Sequence, residues 1–361
     1  MPIIEENDNE TVRQLLARLV VEDITGRPFD MSNAAIGPLV TNYFSFIFSI
    51  EANTRGNTQK VFVKIPKEDL RQRSKSILPI SPADRSMAAD EVASLRSLAD
   101  QWHSEDLGVS WVRLRNYFPQ YNAIVTDAAA GTDAFSVFRR LDLRRRLGLK
   151  KDGRRLREAM TRLGAALGRF HHGKARSTVF HLNESVPKLE RYCHEFGESV
   201  GSPMPGHVIH DLKSIGNLEI DAIEVSTLKG IDIRNILMDG RDRLFLFDPG
   251  RMKRICREAD LARFIMTYRI IYWGSGLFLL GMRPDSRAED AFLEAYYSHS
   301  ASPSPKLLSF FLIKEQLKHW HTAIDSLWRL PWSIPLKRLV AAFYVNPFYN
   351  RQLAVELKKV V

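Results

Sequence analysis

The stretch from Leu228 to Gly250, which reads LKGIDIRNILMDGRDRLFLFDPG, contains two short apolar runs. These runs, Ile236 to Met238 and Leu244 to Phe247, flank an acidic turn that contains a glycine. A turn of this kind between apolar runs predicts a β-hairpin. The hairpin would place Asn235 just before its first strand and Asp248 just after its second. The sequence therefore predicts that these two side chains lie at one end of a β-ribbon.

An amide and a carboxylate at the end of a ribbon have two interpretations. They can supply oxygen ligands to Mg²⁺, which prefers carboxylates together with phosphate oxygens. Asn and Asp are also ordinary turn residues. The stretch alone is compatible with both interpretations, so the rest of the chain has to distinguish them.

The composition indicates a globular protein with enough material for one large or two medium domains. The chain has 361 residues, of which 45% are hydrophobic and 26% charged. Its two cysteines, Cys193 and Cys256, form no disulfide framework, which favours a reducing, cytoplasmic setting.

Met1 to Glu10 is polar and acidic and does not read as a signal peptide. The most apolar run, Ile270 to Gly281, is shorter than a membrane span and predicts a buried helix end, with interfacial membrane contact as the alternative.

The formal net charge of +10 is concentrated in one segment, between Arg139 and Arg157. The segment contains only Asp142 and Asp152 as acids, and its basic residues are Arg139, Arg140, Arg144, Arg145, Arg146, Lys150, Lys151, Arg154, Arg155 and Arg157. Such a run is either a solvated face or a site for an anionic partner, namely an acidic or phosphorylated glycan or the inner face of an anionic membrane. Nucleic acid is disfavoured because no nucleic-acid-binding motif accompanies the run.

The N-terminal part of the chain alternates in the way that strands do. Residues 36 to 65 predict an antiparallel meander rich in β-branched and aromatic residues, and Lys64 interrupts its last apolar run. A helix follows in which Ala88, Val92 and Leu95 form one stripe that also contains Glu91. An inward-facing acid needs a partner. Lys64 is the candidate, with the alternative that each of the two residues is a snorkelling or surface charge.

Further strands end at a small-residue linker, Asp127 to Gly131, and most of the remaining sequence has helical spacing. The predicted fold class is α+β and bilobal, with a small antiparallel sheet lobe and a larger, mainly helical lobe that contains one hairpin. The predicted domains are an N-terminal helical extension (1–35), a nucleotide-binding lobe (36–127), a helical lobe with the catalytic and metal loops (128–305) and a C-terminal helical extension (306–361).

The order of strand lysine, helix glutamate, linker, long helix, loop asparagine and strand followed by Asp-Pro-Gly resembles the protein-kinase-like fold. The resemblance is to the family of aminoglycoside phosphotransferases and choline kinases, and it covers residues 36 to 297. It implies that Lys64 holds the α and β phosphates of ATP and that Glu91 is its helix partner. It also implies that Asn235 and Asp248 bind Mg²⁺.

The resemblance assigns further residues to the nucleotide and acceptor sites. Thr41 and Asn42 would turn over the phosphates, although Gly37 to Ser45 has no glycine-rich sequence. The linker that contains Asp127 and Ala129 looks like the hinge beside adenine. Three arginines lie where this family builds its acceptor site and are expected to bind an anionic acceptor, namely Arg144, Arg145 and Arg146.

The sequence departs from the family pattern at the catalytic base. Relatives have an aspartate five residues before the metal-binding asparagine, and here that position is Gly230. The nearest carboxylate is Asp232, three residues before Asn235. Asp232 is therefore the candidate base, with the alternative that it is a turn residue or a neighbour of the metal site.

These assignments predict an ATP- and Mg²⁺-dependent phosphotransferase acting on a hydroxyl of a small molecule or glycan. The basic segment favours an anionic or lipid-linked sugar acceptor, as in bacterial surface-polysaccharide metabolism. One alternative is a pseudokinase that binds nucleotide or acts as a scaffold without transfer, because of Gly230. The other is a kinase-fold enzyme that transfers another group, such as AMP.

Overall fold

The computed structural model describes residues 3–30, 34–42, 44–54, 57–68, 76–173, 175–200, 210–211, 213, 219–228, 231–273, 275, 277, 282–300 and 304–360. Gly230, the position at which the resemblance would place a catalytic aspartate, lies outside the described residues, as does part of the apolar run from Ile270 to Gly281. None of the described helices is long and apolar enough to cross a membrane.

The chain contains both helices and strands, as the α+β prediction requires. The helices are α1 (Ile3–Thr25), α2 (Pro82–Gln101), α3 (Ala134–Arg146), α4 (Lys150–His172), α5 (Val186–Val200), α6 (Glu258–Arg269), α7 (Ser286–Tyr297), α8 (Pro305–Arg329), α9 (Ile334–Val340) and α10 (Asn346–Val360). The strands are β1 (Ala34–Ile36), β2 (Val40–Thr41), β3 (Ser45–Thr54), β4 (Asn57–Pro66), β5 (Val109–Trp111), β6 (Leu114–Phe118), β7 (Ala123–Asp127), β8 (Thr132–Asp133), β9 (Arg176–His181), β10 (Glu219–Leu228), β11 (Ile236–Met238), β12 (Leu244–Leu246) and β13 (Met252–Cys256).

The chain divides into two compact units. The first consists of Met1–Thr132, Leu228–Gly230 and Asn235–Met252, and the second of Asp133–Thr227, Ile231–Arg234 and Lys253–Val361. The predicted hairpin therefore belongs to the sheet-rich first unit by its contacts, although it follows most of the second unit in sequence.

The first unit is built on an antiparallel sheet in the order β1-β3-β4-β7-β6, with β2 pairing β3. Side chains alternate between the two faces of a strand. On one face, buried residues of β3 and β4 such as Phe48 and Val63 form a core with Leu16 and Val20 of α1. The other face receives α2. This arrangement explains why Val61, Val63 and Ile65 of β4 are buried on the α1 side and can have a lysine between them.

Helix α2 begins at a capping box in which Ser81 and Asp84 satisfy each other's backbone N–H groups, with Pro82 in its first turn. The predicted inward stripe is buried in the structure, Glu91 included. The helix packs through Ala88, Val92 and Leu95 on Ile124 of β7. The sequence signals for the start and the inward face of this helix therefore agree with the fold.

The predicted hairpin is present, with β11 and β12 antiparallel in the register Ile236↔Leu246 and Met238↔Leu244. It belongs to a second small sheet of order β5-β12-β11-β8, in which β5 lies parallel to β12. Leu246 pairs with Trp111 of β5.

Gly131 lies so close to β11 that a side chain has no room there. A Cβ at this position would lie 2.9 Å from Met238 O and 3.2 Å from Leu237 Cβ. We expect Gly131→Ala to lower the free energy of unfolding by about 1–3 kcal/mol, because it overpacks a contact with backbone. Gly240→Ala is the matched control in the hairpin turn, since a Cβ there would have no atom within 4 Å. Chemical denaturation of both variants checks this, and equal stabilities would contradict it.

The second unit is mainly helical, as predicted. The buried stripe of α4, which includes Leu156, Met160 and Leu163, packs against α7. At Gly164 a Cβ would lie 2.1 Å from Phe292 O, so this contact requires glycine. The unit also contains a three-stranded sheet of order β13-β10-β9. The sequence reading of a helical lobe with one hairpin missed this sheet, because β9 is exposed along most of its length and lacks an apolar face.

Candidate functional site

Lys64 is the centre of an ion-pair cluster in the first unit. Its Nζ donates to Glu91 Oε1 at 2.9 Å, to Glu91 Oε2 at 2.8 Å and to Asp248 Oδ1 at 2.7 Å. The structure thus brings together three residues that the sequence singled out separately. We call Lys64, Glu91 and Asp248 the lysine cluster. One ammonium group holds a carboxylate of a helix and a carboxylate of a loop.

The sheet and helix position Lys64 and Glu91. Lys64 pairs across β3 with Ile47 and across β7 with Ile124. Cross-strand partners share a face. Because Ile124 packs on α2, Lys64 faces the same helix, and Glu91 lies on that helix's buried stripe. The pairing of a strand lysine with a helix acid therefore follows from two periodicities, two residues in the strand and about 3.6 in the helix.

In the lysine cluster, burial and the neighbouring charges have opposite effects on the pKa values of Lys64 and Glu91. Burial by itself would lower the pKa of Lys64, but the negative charges of Glu91 and Asp248 outweigh it and raise that pKa well above its usual range. Burial raises the pKa of Glu91, with a contribution from the charge of Asp248, against the lowering effect of Lys64. Lys64 therefore stays charged, and the two acids compete for one cation. An additional cation would relieve that competition.

Asp248 adopts an unusual backbone conformation directly after the hairpin. Its φ is +56°, and Gly250 two residues later has φ +62°. Asp is one of the few residues that tolerates this left-handed region. Residues held there are enriched at functional sites. The side chain of Asp248 remains 44% exposed, compared with 9% for Glu91, so it can contact a further ligand.

Asn235 lies at the same end of the hairpin as Asp248. Its carbonyl accepts a hydrogen bond of 3.0 Å from the amide of Phe247, the residue before Asp248. Within the described part of the chain, no group of three His, Cys, Asp or Glu side chains could hold a metal ion. Mg²⁺ needs fewer, because it keeps several waters and takes phosphate oxygens as ligands. An amide oxygen and a partly exposed carboxylate at one hairpin end fit that requirement.

The other nucleotide-site candidates also lie in the first unit. Thr41 pairs with Phe46 across a tight turn, in which the Asn42 amide donates to Ser45 O at 2.8 Å, and both Thr41 and Asn42 are exposed. In the predicted hinge, the side chain of Asp127 pairs with Arg115. The amide of the next residue, Ala128, donates to Lys60 O at 3.0 Å.

Ala129 follows in the same segment and is half-buried. The Asp127 side chain already has a partner. If this segment recognises an adenine base, the recognition would therefore come from its backbone N–H and C=O groups.

Sequence analysis missed one residue that links α2 to the segment after Asp248. The buried Ser94 of α2 accepts a hydrogen bond of 3.1 Å from the amide of Met252, four residues after Asp248. Arg251 and Asp90 approach to 3.6 Å beside it. The only sequence signal was a small polar residue inside the buried stripe of α2, three residues after Glu91.

Asp232, the candidate base, lies in the second unit and is bound by its own neighbour. Its Oδ1 accepts from the amide of Arg234 at 2.9 Å, and the Arg234 guanidinium donates to both carboxylate oxygens. Hydrogen bonding to Asp232 raises the pKa of Arg234, so that guanidinium keeps its charge. The sequence did not indicate this pair.

The three arginines expected to bind an acceptor have carboxylate partners. Arg145 and Arg146 both pair with the fully buried Asp142, at 2.9 and 3.2 Å. Arg144 pairs with Asp152 at 3.0 Å and is the most exposed of the three. The excess positive charge of the segment is therefore smaller at these positions than the sequence suggested.

Comparisons with known proteins identify the fold. No protein-family model matches the sequence, and a comparison with curated proteins finds no similar sequence. Among solved structures, a choline kinase from Cryptosporidium parvum Iowa II superposes with a TM-score of 0.51 at 11% identity, over 96% of this chain and 94% of that one.

An ethanolamine kinase from Plasmodium vivax gives a TM-score of 0.51 at 10% identity, over 96% of this chain and 88% of that one. A spectinomycin phosphotransferase in complex with ADP and spectinomycin gives 0.50 at 10% identity, over 96% of this chain and 97% of that one. Identities this low establish the fold alone. The chain therefore has the α+β protein-kinase-like fold in the form adopted by choline kinases and aminoglycoside phosphotransferases.

Proposed function

We propose that this protein is an ATP- and Mg²⁺-dependent phosphotransferase that transfers the γ-phosphoryl group of ATP to a hydroxyl of a small molecule. The observation that carries the proposal is the contact of Lys64 Nζ with the carboxylates of both Glu91 and Asp248. A fixed ammonium beside a partly exposed carboxylate is suited to a phosphate chain and its metal ion. The kinase-like fold supports the same function.

Each residue of the lysine cluster has a distinct role in this proposal. Glu91 orients the Lys64 ammonium, which donates to phosphate oxygens of the nucleotide. Asp248 and Asn235 would hold Mg²⁺, which would supply neutralisation of the phosphate charge. The acceptor hydroxyl oxygen bonds to the γ-phosphorus as the bond from that phosphorus to the bridging oxygen breaks. The hydroxyl proton leaves to a base.

Asp232 is the proposed base. Proton transfer to a positioned side chain contributes about 10² to 10⁴ in rate. We expect Asp232→Asn to reduce turnover by about that factor and to leave ATP affinity unchanged. Steady-state kinetics together with nucleotide titration measure the two effects separately.

A matched control is Asp239→Asn, because Asp239 forms a similar local pair with Arg243 at 2.7 Å but lies in the hairpin turn. If turnover survives in the Asp232 variant to the same extent as in this control, the base is another group.

A pseudokinase is the second candidate function, and the Asp232–Arg234 pair favours it. The Arg234 guanidinium donates to both oxygens of Asp232, so part of the lone-pair capacity of that carboxylate is already occupied. A protein that binds ATP through Lys64 but leaves Asp232 locked by Arg234 would bind nucleotide without transferring phosphate.

The acceptor is proposed to be anionic, such as a phosphorylated or lipid-linked sugar of the kind used in surface-polysaccharide synthesis. The support is the excess of basic over acidic residues between Arg139 and Arg157, only part of which Asp142 and Asp152 neutralise. The same segment would suit contact with an anionic membrane surface.

The deciding experiment incubates purified full-length protein with Mg²⁺ and ATP labelled at either the α or the γ phosphorus. The acceptors are sugar phosphates and the matching neutral sugars. Transfer of the γ label supports the proposal, and preference for the sugar phosphate supports the anionic acceptor. Transfer of the α label would identify an AMP transferase. ATP binding without transfer to any acceptor would favour the pseudokinase, and absence of ATP binding would overturn both.

A further inference from the structure

A cavity of about 520 Å³ lies in the first unit between α2 and the chain that runs through β5 and β6. We call it the α2 cavity. Its apolar wall includes Leu95 and Leu98 of α2, together with Trp102 and Trp111. Small-molecule sites typically have volumes of about 300–1,000 Å³. The α2 cavity is therefore large enough for a ligand, and it does not include the residues of the lysine cluster.

Trp111, which lines this cavity, carries an unsatisfied donor. The residue is only 8% exposed, and its indole Nε1 has no hydrogen-bond partner among the described residues. Its neighbour Trp102, whose ring meets that of Trp111 edge-on at 5.9 Å, has its own Nε1 satisfied by Val109 O at 2.9 Å. A buried donor left without an acceptor is costly and rare. A ligand acceptor that reaches this N–H from the cavity would satisfy it.

The rim of the cavity is basic. Arg96 and Arg113 line it, are exposed, and make no ion pair with any residue in the described part of the chain. Arg115 also lines it and pairs with Asp127. Glu105 is the one acid among the lining residues. The cavity therefore combines aromatic and aliphatic walls, an unsatisfied N–H and surplus positive charge.

We propose that the α2 cavity binds a small organic anion with an apolar body, of the class of aromatic carboxylates. The apolar body packs on Leu95 and the two tryptophan rings, and the carboxylate accepts from Trp111 Nε1 and pairs with Arg113. Neutral apolar molecules leave the rim charges unused, and inorganic anions leave the apolar wall unfilled.

The same cavity touches α2, which holds Glu91, and β5, whose partner strand β12 leads to Asp248. Leu95 lies one helical turn after Glu91 on α2. Trp111 pairs with Leu246, which lies two residues before Asp248. A ligand that fixes α2 against β5 therefore fixes the spacing of Glu91 and Asp248 around Lys64. On the proposed function, binding in the α2 cavity changes the affinity for ATP, and ATP changes the affinity for the ligand by the same factor.

The first test uses naphthalene-1-acetate as the probe and naphthalene-1-acetamide as its uncharged match, titrated into the full chain by calorimetry. We expect the acetate to bind at least tenfold more tightly than the amide. Trp111→Phe keeps an aromatic ring and removes the N–H, and we expect it and Arg113→Gln each to weaken acetate binding by about tenfold, the scale of a hydrogen bond to a charged group.

Arg85→Gln is the control, since Arg85 lies on α2 but does not line the cavity. Absence of acetate binding at millimolar concentration, or equal affinities in all three variants, would overturn the proposal. Arg113→Gln changes an exposed side chain, so the test stands even if Trp111→Phe does not fold.

The second test measures ATP affinity with and without saturating naphthalene-1-acetate. A change of threefold or more supports the coupling. An unchanged ATP affinity with the probe bound would overturn the coupling and leave the cavity as a binding site. If ATP does not bind at all, the proposed function fails and the coupling with it, whereas the binding of the acetate probe still decides the cavity proposal by itself.

Discussion

Lys64→Ala is expected to reduce turnover with ATP by about 10² to 10³, the usual cost of removing one preorganised donor from a charged transition state. Nucleotide affinity should fall as well, because the alanine variant removes the ammonium that would donate to the phosphates and leaves the Glu91 and Asp248 carboxylates without it. Kinetics of phosphate transfer and titration of a fluorescent ATP analogue measure both effects.

Lys60→Ala is the matched control for this variant. Lys60 lies in the same strand, four residues earlier, and its exposed side chain pairs with Glu51 at 2.6 Å. An exposed pair of this type contributes little to stability, so neither turnover nor nucleotide affinity should change. Lys67 is unsuitable as a control, because it is buried and binds Asp84 at 3.0 Å. Equal losses in the Lys60 and Lys64 variants would remove Lys64 from the nucleotide site.

Asp248→Asn is expected to lower Mg²⁺-dependent turnover by about 10³-fold or more. In the proposed function the metal supplies several kcal/mol of charge stabilisation, which this variant loses. The fold should survive. Asn tolerates the φ of +56° at this position, and the substitution removes the repulsion between the two acids that share Lys64. Thermal unfolding and a Mg²⁺ titration of turnover test the two parts separately.

Asp242→Asn offers a close control for Asp248→Asn. Asp242 also has a positive φ, +62°, and lies in the turn of the same hairpin, but it does not contact Lys64 in the structure. The same loss of Mg²⁺ dependence in both variants would show that the effect is one of hairpin geometry and would move the metal away from Asp248.

The parts of the lysine cluster that the sequence predicted depend on short-range periodicity. Lys64 was recognisable because it interrupts an apolar run of a strand, and Glu91 because it lies on the apolar stripe of a helix. The hairpin was recognisable because its turn chemistry separates two apolar runs. Each of these signals lies within about ten residues of sequence. The order of the signals along the chain then indicated the fold.

The parts that sequence did not reveal depend on contacts between distant segments or on a side-chain direction. The hydrogen bond of Ser94 with Met252 joins residues far apart in the chain. Whether Arg145 and Arg146 pair with Asp142 depends on the direction of each arginine side chain. The same helix could equally present both side chains to solvent. No periodicity encodes these choices, because tertiary packing makes them.

The bond between Ser94 and the amide of Met252 has a consequence for how the site can open. Glu91 and Ser94 lie on neighbouring turns of α2, and Asp248 lies on the loop that leads to Met252 at the start of β13. The helix and this segment therefore meet through Lys64 and again through Ser94. Moving the helix outward would break both connections together. The Glu91–Lys64 pair and the Ser94–Met252 bond therefore break in a single event, whereas the Lys64–Asp248 pair, which joins strand and loop, does not depend on the position of α2.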